Sequence, residues 1–354
     1  MGAPEVLEGA LIRHFKKDRF KRLLYKIAHS SHYLPPEFTK GRAAIFHGYT
    51  GHSRQPAIRH MVDVLYEKMY FTVFTCDFPD HGLSVDPTKK SNLGRVKSFL
   101  RWIQTVYVAT YQILKLRSEE NPGVFLIGES AGALAIIRFL QVHQEVQKYL
   151  AGVVILALPL EVDQNASKWV QKHKRFLEPV FSLLAWFFPN LPVGDLPEGD
   201  KEDSLEYHGK VRARPAKEIR DAVFEARQSH AMKNITVPIL FIHSDSDGVA
   251  LPEHVEIAFR SVATPEDKKE FIIYRGAPHR VLHFAVNDIQ RWIEKRNKAK
   301  DWMPFQQEGV VNETVKTSAK VTVAIEALLM FIPRVLRFCW EGMRKRLEKL
   351  MQKK

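Results

Sequence analysis

The chain has 354 residues, enough for one large domain with an inserted subdomain, and its 45% hydrophobic content is ample for a buried core. The two cysteines, Cys76 and Cys339, lie far apart, which argues against a disulfide framework and favours a reducing compartment. The net charge of +13 is uneven, because residues 1–29 carry +4, residues 334–354 carry +6 and the long middle carries only +3.

Short apolar runs alternate with amphipathic segments along the chain, as expected for a mostly parallel sheet covered by helices on both faces. The runs predict strands at about 43–47, 71–77, 123–127, 152–158, 237–243 and 270–274. Helices are predicted over 54–68 and over 92–117, the second beginning after Ser91 and Asn92. Between residues 160 and 238 the alternation stops, which indicates an insertion.

The most specific motif is Gly128-Glu129-Ser130-Ala131-Gly132, which lies between the apolar run 124–127 and the helix-forming run 133–140. A serine on a sharp turn from strand to helix needs small residues two places before and after it, because bulkier side chains would collide there. The pattern predicts a nucleophile elbow with Ser130 as the nucleophile. The competing interpretation is a glycine-bounded turn in which the serine caps a helix.

A serine hydroxyl is a poor nucleophile at neutral pH, so the elbow requires a histidine base and an orienting acid, in the chain order Ser, Asp, His. The predicted strand 237–243 ends in a carboxylate-rich turn, where Asp247 is the preferred acid and Asp245 the alternative. The last predicted strand precedes a loop containing His279, the proposed base. His283, four residues later, is expected to be packed or solvent-facing.

The turn after the first predicted strand, Phe46-His47-Gly48-Tyr49, is the candidate oxyanion hole. Backbone N–H groups at such a turn can stabilise the negative charge that a carbonyl oxygen gains in a tetrahedral intermediate. We expect the N–H groups of Tyr49 and Ala131 to be the two donors. An ordinary glycine turn after a strand is the alternative.

With these motifs the chain resembles an α/β-hydrolase of the monoacylglycerol lipase and lysophospholipase branch, which also contains proteins labelled serine aminopeptidase-like. The resemblance covers roughly residues 34–296 and rests on five strings in the family's order: residues 47–53, residues 77–84, the elbow, the Asp247 turn and residues 276–279. The family commonly has His or Gln before the serine and Met-Gly-Gly after it. Here Glu129, Ala131 and Ala133 stand in the changed positions.

The resemblance implies an α/β-hydrolase fold with an inserted helical cap. It divides the chain into a basic N-terminal segment (1–33), a core (34–159 and 233–296), a cap (160–232) and a C-terminal extension (297–354). An apolar cap over the active site would allow an acyl chain to leave water. Ordinary helix core is the better interpretation for most of its aromatic residues individually: Phe176, Phe181, Trp186, Phe187 and Phe188.

The motifs predict a serine hydrolase, and the resemblance implies a lipid carboxylic ester as its substrate, with a monoacylglycerol or a lysophospholipid expected. No metal or organic cofactor is implied. Epoxide hydrolases and dehalogenases are disfavoured because they use a carboxylate nucleophile where this chain has Ser130. A thioesterase, acyltransferase or peptidase with the same residues stays open, as does a catalytically idle membrane-associated scaffold.

The basic ends suggest contact with an anionic surface, either a membrane or nucleic acid. After Pro333, basic and apolar residues fall on opposite sides of a predicted helix, which is typical of a helix lying in the membrane interface. We therefore expect a cytoplasmic protein that can bind an anionic membrane peripherally, with no nucleic-acid partner. Packing of this helix on the enzyme itself is the alternative, and the sequence indicates no oligomeric state.

Overall fold

The structure is a computed structural model that describes residues 31–32, 38–116, 123–161, 179–195 and 202–299. All of these lie in the first of two units of the chain, residues 1–305. The predicted membrane-binding helix after Pro333 and most of the basic N-terminal segment fall outside the described residues.

The centre of the fold is a seven-stranded sheet in the order β1-β3-β2-β4-β5-β8-β9, in which only β1 runs antiparallel. Its strands are β1 (Ser31–His32), β2 (Gly41–Phe46), β3 (Phe71–Cys76), β4 (Val124–Glu129), β5 (Gly152–Leu156), β8 (Ile239–Ser244) and β9 (Lys269–Tyr274). A separate pair consists of β6 (Pro192–Gly194) and β7 (Val211–Arg212). The six predicted strands are confirmed, with ends within two residues of the prediction. The sequence did not predict β1, β6 or β7, because two or three residues are too few to show a period.

The helices surround the sheet, and short 3-10 turns connect several of them. They are α1 (Pro56–Asp63, continued by a π-helix over Val64–Lys68), α2 (Leu100–Lys115), α3 (Ala131–Val142), α4 (Ala213–Ala226), α5 (Ser229–Met232), α6 (Pro252–Ser261) and α7 (Leu282–Ala299). Residues 179–187 are also helical. Among the helices that the structure describes, none has the length and apolar content that a membrane span requires.

The helix predicted to begin at Asn92 begins at Leu100 instead. Gly94 adopts a φ of 73°, which a right-handed helix cannot include. Its N–H donates to the carbonyl of Asp80, and its carbonyl accepts the hydroxyl of Tyr49. The local start signal is therefore wrong, because contacts from distant parts of the chain hold this stretch as a loop.

Each face of the sheet has its own hydrophobic core, because alternate residues of a strand point to opposite sides. On β4, Leu126 packs into the core formed with α2, α3, α4 and α6, whereas Phe125 and Ile127 pack into the core formed with α1 and α7. Burial on both faces explains why the strands read as continuous apolar runs. The predicted mostly parallel sheet with helices on both faces is thus confirmed.

The insertion predicted between residues 160 and 232 lies between two adjacent strands. β5 ends at Leu156 and β8 begins at Ile239, yet the two strands pair directly. The described part of the insertion contains the helical residues 179–187, the β6–β7 pair, α4 and α5. The proposed limits of the cap and of the other segments stay a prediction.

Candidate active site

Ser130 lies at the turn between β4 and α3 with φ 54° and ψ −120°. A positive φ is unfavourable for a residue with a side chain, so the surrounding structure must hold it. The Ser130 N–H donates to the carbonyl of Leu156 at 2.8 Å, and the Ser130 carbonyl accepts the N–H of Leu134 at 3.0 Å. The turn is thus fixed between the neighbouring strand and the first turn of α3.

Steric contacts require glycine at both ends of the elbow motif. A Cβ on Gly128 would lie 2.8 Å from the backbone nitrogen of Ala133. A Cβ on Gly132 would lie 2.5 Å from the carbonyl oxygens of both Phe46 and His47. Both distances are shorter than van der Waals contact, so glycine is required at Gly128, where β4 turns into α3, and at Gly132, where α3 packs against the chain that leaves β2.

The structure brings Ser130, His279 and Asp247 into one hydrogen-bonded chain. The Oγ of Ser130 lies 2.8 Å from Nε2 of His279, and Nδ1 of His279 lies 2.7 Å from Oδ2 of Asp247. An Nδ1–H that donates to the carboxylate leaves Nε2 free to accept the serine proton. The residues follow β4, β9 and β8, and parallel strands place such positions at one edge of the sheet.

Asp247 and Asp245 occupy different environments. Burial alone would raise the pKa of Asp247, but the bonds from His279 and from two backbone N–H groups hold it below its ordinary value. Asp247 therefore stays a carboxylate beside the imidazole. Asp245 is exposed and accepts the N–H of Gly276 at 2.8 Å. It therefore joins the turn after β8 to the loop that contains His279. The geometry favours Asp247 as the partner of the histidine.

The predicted oxyanion segment passes beside the serine. A Cβ on Gly48 would lie 3.2 Å from Cβ of Ser130 and 3.7 Å from its Oγ. Ala131 is the first residue of α3, a position whose N–H has no acceptor within the helix. The assignment of the Tyr49 and Ala131 N–H groups as oxyanion donors stays a prediction.

His283, the second histidine near the end of the predicted site, is exposed on α7, where its ring contacts that of Phe284.

Two further motif residues hold the loops around the serine. His47 is fully buried; its Nδ1–H donates to the carbonyl of Gly48 at 2.7 Å, and its Nε2 accepts the N–H of Phe78 at 3.0 Å. Asp77 accepts the N–H groups of Ser53 and Leu83. These bonds join the loop after β2 to the loop after β3. Burial lowers the pKa of His47 to about 3, against the attraction of Asp77, so the imidazole is neutral.

We expect the protein to lose stability as the pH falls below 6.5, in part through His47. An unfolded histidine takes up a proton near pH 6.5, whereas folded His47 stays neutral down to about pH 3. The unfolded state therefore binds one more proton at this residue. Below pH 6.5, His47 alone lowers the free energy of unfolding by about 1.4 kcal/mol for each further unit of pH. Urea unfolding at pH 5 to 7 should show a shallower pH dependence for His47→Gln. The exposed control His283→Gln should keep the wild-type slope, and equal slopes for all three proteins would contradict the expectation.

Two buried groups lie next to the site, and the sequence assigned a role to neither of them. Glu129 is buried and accepts the N–H of Leu282, the first residue of α7, at 3.0 Å, and burial raises its pKa. His243 is fully buried, donates Nε2–H to the carbonyl of Ala250 at 3.0 Å and lies 3.5 Å from Oδ2 of Asp247. The sequence did carry a signal for Glu129, because a charged side chain inside the elbow motif is unusual there. His243 gave none, because it ends an ordinary apolar run.

The insertion between β5 and β8 also contacts loops of the site through charged residues to which the sequence analysis gave no role there. His52 lies 2.6 Å from the carboxylate of Asp203. Arg280, next to His279, pairs with the buried Glu206 and donates to the hydroxyl of Thr50 at 2.9 Å. Residues 203–206 therefore contact both the loop after β2 and the histidine loop.

Within the described ranges, no group of three or more His, Cys, Asp or Glu side chains is arranged to hold a metal ion.

A model of the family described as serine aminopeptidase, S33, matches residues 38–284. The match spans more than half of the chain, so the protein belongs to this family of α/β-hydrolases. No curated protein sequence matches the chain at a significant level.

Solved structures of several hydrolases share the fold. The monoacylglycerol lipase of Paleococcus ferrophilus is 17% identical with a TM-score of 0.56, covering 73% of this chain and 97% of the lipase. A soluble variant of monoglyceride lipase from Saccharomyces cerevisiae, in complex with a substrate analogue, is 17% identical with a TM-score of 0.57, covering 73% and 87%. A thermostable carboxyl esterase from Bacillus coagulans is 16% identical with a TM-score of 0.57, covering 75% and 93%. These similarities establish the α/β-hydrolase fold.

Proposed function

We propose that the protein is a serine hydrolase that cleaves a carboxylic ester of a lipid, with a monoacylglycerol or a lysophospholipid as its substrate. The observation that carries the proposal is the hydrogen-bonded chain from Ser130 through His279 to Asp247, on a serine with a positive φ. A structural serine needs neither the strained backbone nor a histidine and carboxylate in line with its hydroxyl.

The proposed reaction uses these groups in sequence. Ser130 attacks the ester carbonyl while His279 takes its proton, and Asp247 holds the imidazole in the tautomer that accepts at Nε2. The N–H groups of Tyr49 and Ala131 stabilise the oxyanion. His279 then protonates the leaving alcohol, and it next activates a water molecule that releases the fatty acid from Ser130.

A lipid substrate is supported by the apolar surface of the cap. Phe187 and Phe188 are more than half exposed on the insertion whose residues 203–206 contact the histidine loop. The fold likeness to a monoacylglycerol lipase and a monoglyceride lipase makes monoacylglycerol the first ester to test. Cytoplasmic localisation and peripheral binding to an anionic membrane belong to the same proposal.

A peptidase is the second candidate, because the matching family is described as serine aminopeptidase. The same residues would suit a thioesterase or an acyltransferase, since each of these reactions passes through an acyl-enzyme. An idle scaffold would retain the fold without the reactivity.

Labelling with a fluorophosphonate probe, followed by an acyl-donor panel, tests the proposal. We expect the wild-type protein to be labelled and Ser130→Ala to be unlabelled at an unchanged melting temperature. The panel contains a monoacylglycerol, a lysophosphatidylcholine, an acyl thioester and an aminoacyl amide. Preferred release of fatty acid from the first two supports the lipid ester. A protein that is not labelled is a scaffold, and preferred cleavage of the amide identifies a peptidase.

A further inference from the structure

A buried carboxylate of the insertion lies between two loops of the site. Glu206 is 2% exposed, and its Oε1 accepts a hydrogen bond from the guanidinium of Arg280 and lies 3.5 Å from the hydroxyl oxygen of Thr50. Arg280 also donates to that hydroxyl oxygen at 2.9 Å. The three side chains thus contact one another, and we call them the loop bridge.

Each end of the loop bridge is next to a residue of the proposed mechanism. Thr50 follows Tyr49, whose N–H is an expected oxyanion donor, and Arg280 follows His279, the proposed base. The two loops come after β2 and β9, and in the sheet β4, β5 and β8 lie between these strands. Strand pairing therefore does not hold the two loops against each other, whereas the loop bridge joins them directly.

The burial of Glu206 fixes the position of Arg280. A carboxylate that is removed from water is unfavourable unless a cation and hydrogen bonds compensate it, and the guanidinium of Arg280 supplies both. The Arg280 side chain is itself 43% exposed, so without the carboxylate it would be free to turn towards water. The backbone adds a second attachment, because the N–H of Tyr207 donates to the carbonyl of Thr50 at 3.0 Å. The insertion therefore holds both loops at once.

Contacts with the end of β8 hold the beginning of the histidine loop. The N–H of Gly276 donates to the carboxylate of Asp245, and the carbonyl of Ala277 accepts the hydroxyl of Ser244 at 2.6 Å. Both contacts precede His279, whereas the loop bridge holds the residue directly after it. The backbone of the histidine is thus fixed on both sides, from β8 and from the insertion.

We propose that Glu206 is a positioning residue for the hydrolytic reaction, which acts through Arg280 and Thr50 to hold the base and the oxyanion segment in their working arrangement. The inference rests on the proposed function, since it gives Glu206 a role in the reaction of Ser130. The side chains that Glu206 contacts in the loop bridge are each one residue away from the groups of the mechanism. Its loss should therefore slow the chemical step and leave ester binding in place.

The variant Glu206→Gln in the full chain tests this role. The amide keeps the size of the side chain and removes the negative charge that holds the guanidinium. We expect kcat for 4-nitrophenyl butyrate to fall about 100-fold, because a displacement of a catalytic group by about 1 Å is enough for such a loss. KM should stay within about threefold of the wild type, since the carboxylate does not bind the ester.

The variant Glu225→Gln is the matched control. Glu225 on α4 pairs with Arg138 on α3, so it also joins the insertion to the core through a carboxylate and an arginine. Neither residue is next to a residue of the proposed mechanism, and kcat of this variant should equal that of the wild type. Equal losses of kcat in both variants would show that the carboxylates only anchor the insertion, and would overturn the proposal. A raised KM at unchanged kcat in Glu206→Gln would do the same.

The variant Arg280→Gln, alone and combined with Glu206→Gln, separates positioning from stability. Alone it leaves the buried carboxylate without its cation, so we expect a lowered melting temperature. The double variant should recover much of that loss, because neither charge remains. kcat, measured well below every melting temperature, should stay about 100-fold low in both variants. A kcat that recovers together with the melting temperature would show that the loop bridge acts through stability alone, and would contradict the proposal.

Fluorophosphonate labelling of the wild type distinguishes this inference from the proposed function. A wild type that is labelled and active, beside an equally active Glu206→Gln, would overturn only the positioning role. A wild type that is neither labelled nor active would overturn the proposed function, and the positioning role with it. A labelled wild type beside a folded Glu206→Gln with low kcat and unchanged KM is the result that supports both.

Discussion

The variant Ser130→Ala and the variant His279→Ala should each have a kcat lowered by about 10⁵-fold or more, and the double variant should be no slower than either single variant. The reason is geometric: Oγ of Ser130 and Nε2 of His279 are 2.8 Å apart, so each group has its proposed role only while the other is present. Steady-state hydrolysis of a soluble short-chain ester by the three variants measures this.

Circular dichroism and thermal melts provide the control for this experiment, since Ser130→Ala keeps the backbone that carries the positive φ. Losses that multiply in the double variant would show that the two residues act independently. That result would contradict the proposed mechanism even if each single variant were slow.

Replacing Asp247 by asparagine should lower kcat by about 10⁴-fold, while Asp245→Asn should stay close to the wild type. An asparagine can still accept the N–H groups of Val249 and Ala250, which lie 2.7 Å and 2.9 Å from Oδ1 of Asp247. Its NH₂ group, however, would face Nδ1 of His279 and favour the imidazole tautomer that cannot accept the serine proton.

The two aspartates form a matched pair for this experiment, because they lie in one turn and differ in their contact with His279. kcat and fluorophosphonate labelling rates should fall together for Asp247→Asn. A fully active Asp247→Asn beside an inactive Asp245→Asn would exchange the roles of the two aspartates and leave the serine and histidine assignments in place.

Much of the central fold was predictable because the local and global requirements agree. Five of the six long strands are buried along their whole length, so they read as largely apolar runs that are easily recognised, whereas β9 at the edge of the sheet is partly exposed. The elbow was equally clear, since Gly128 and Gly132 are fixed by steric contacts that leave a spaced pattern in the sequence. The order of the serine, aspartate and histidine follows from the order of the strands that carry them.

The true start of α2 at Leu100 and the orientation of the helical residues 179–187 were not predictable in the same way. Gly94 is held in a loop by Asp80 and Tyr49, residues that no local propensity scale includes. In the sequence, the apolar stripe of a helix has the same pattern whether the stripe faces a hydrophobic core or the solvent. Only the packing of Ala185 and Phe181 against the protein reveals which side is inside.

The sequence by itself determined the class of fold and the order of the strands along the chain, and it predicted the serine, the histidine and a turn with two candidate aspartates, of which Asp247 was preferred. Tertiary structure alone decided that Asp247 and not Asp245 contacts the imidazole, because both lie in one turn and only one carboxylate points to the histidine loop. It also decided the contacts of Glu206 with Arg280 and of His243 near Asp247. Partners distant along the chain leave no periodic signal, since their proximity is set by how the loops and the sheet pack.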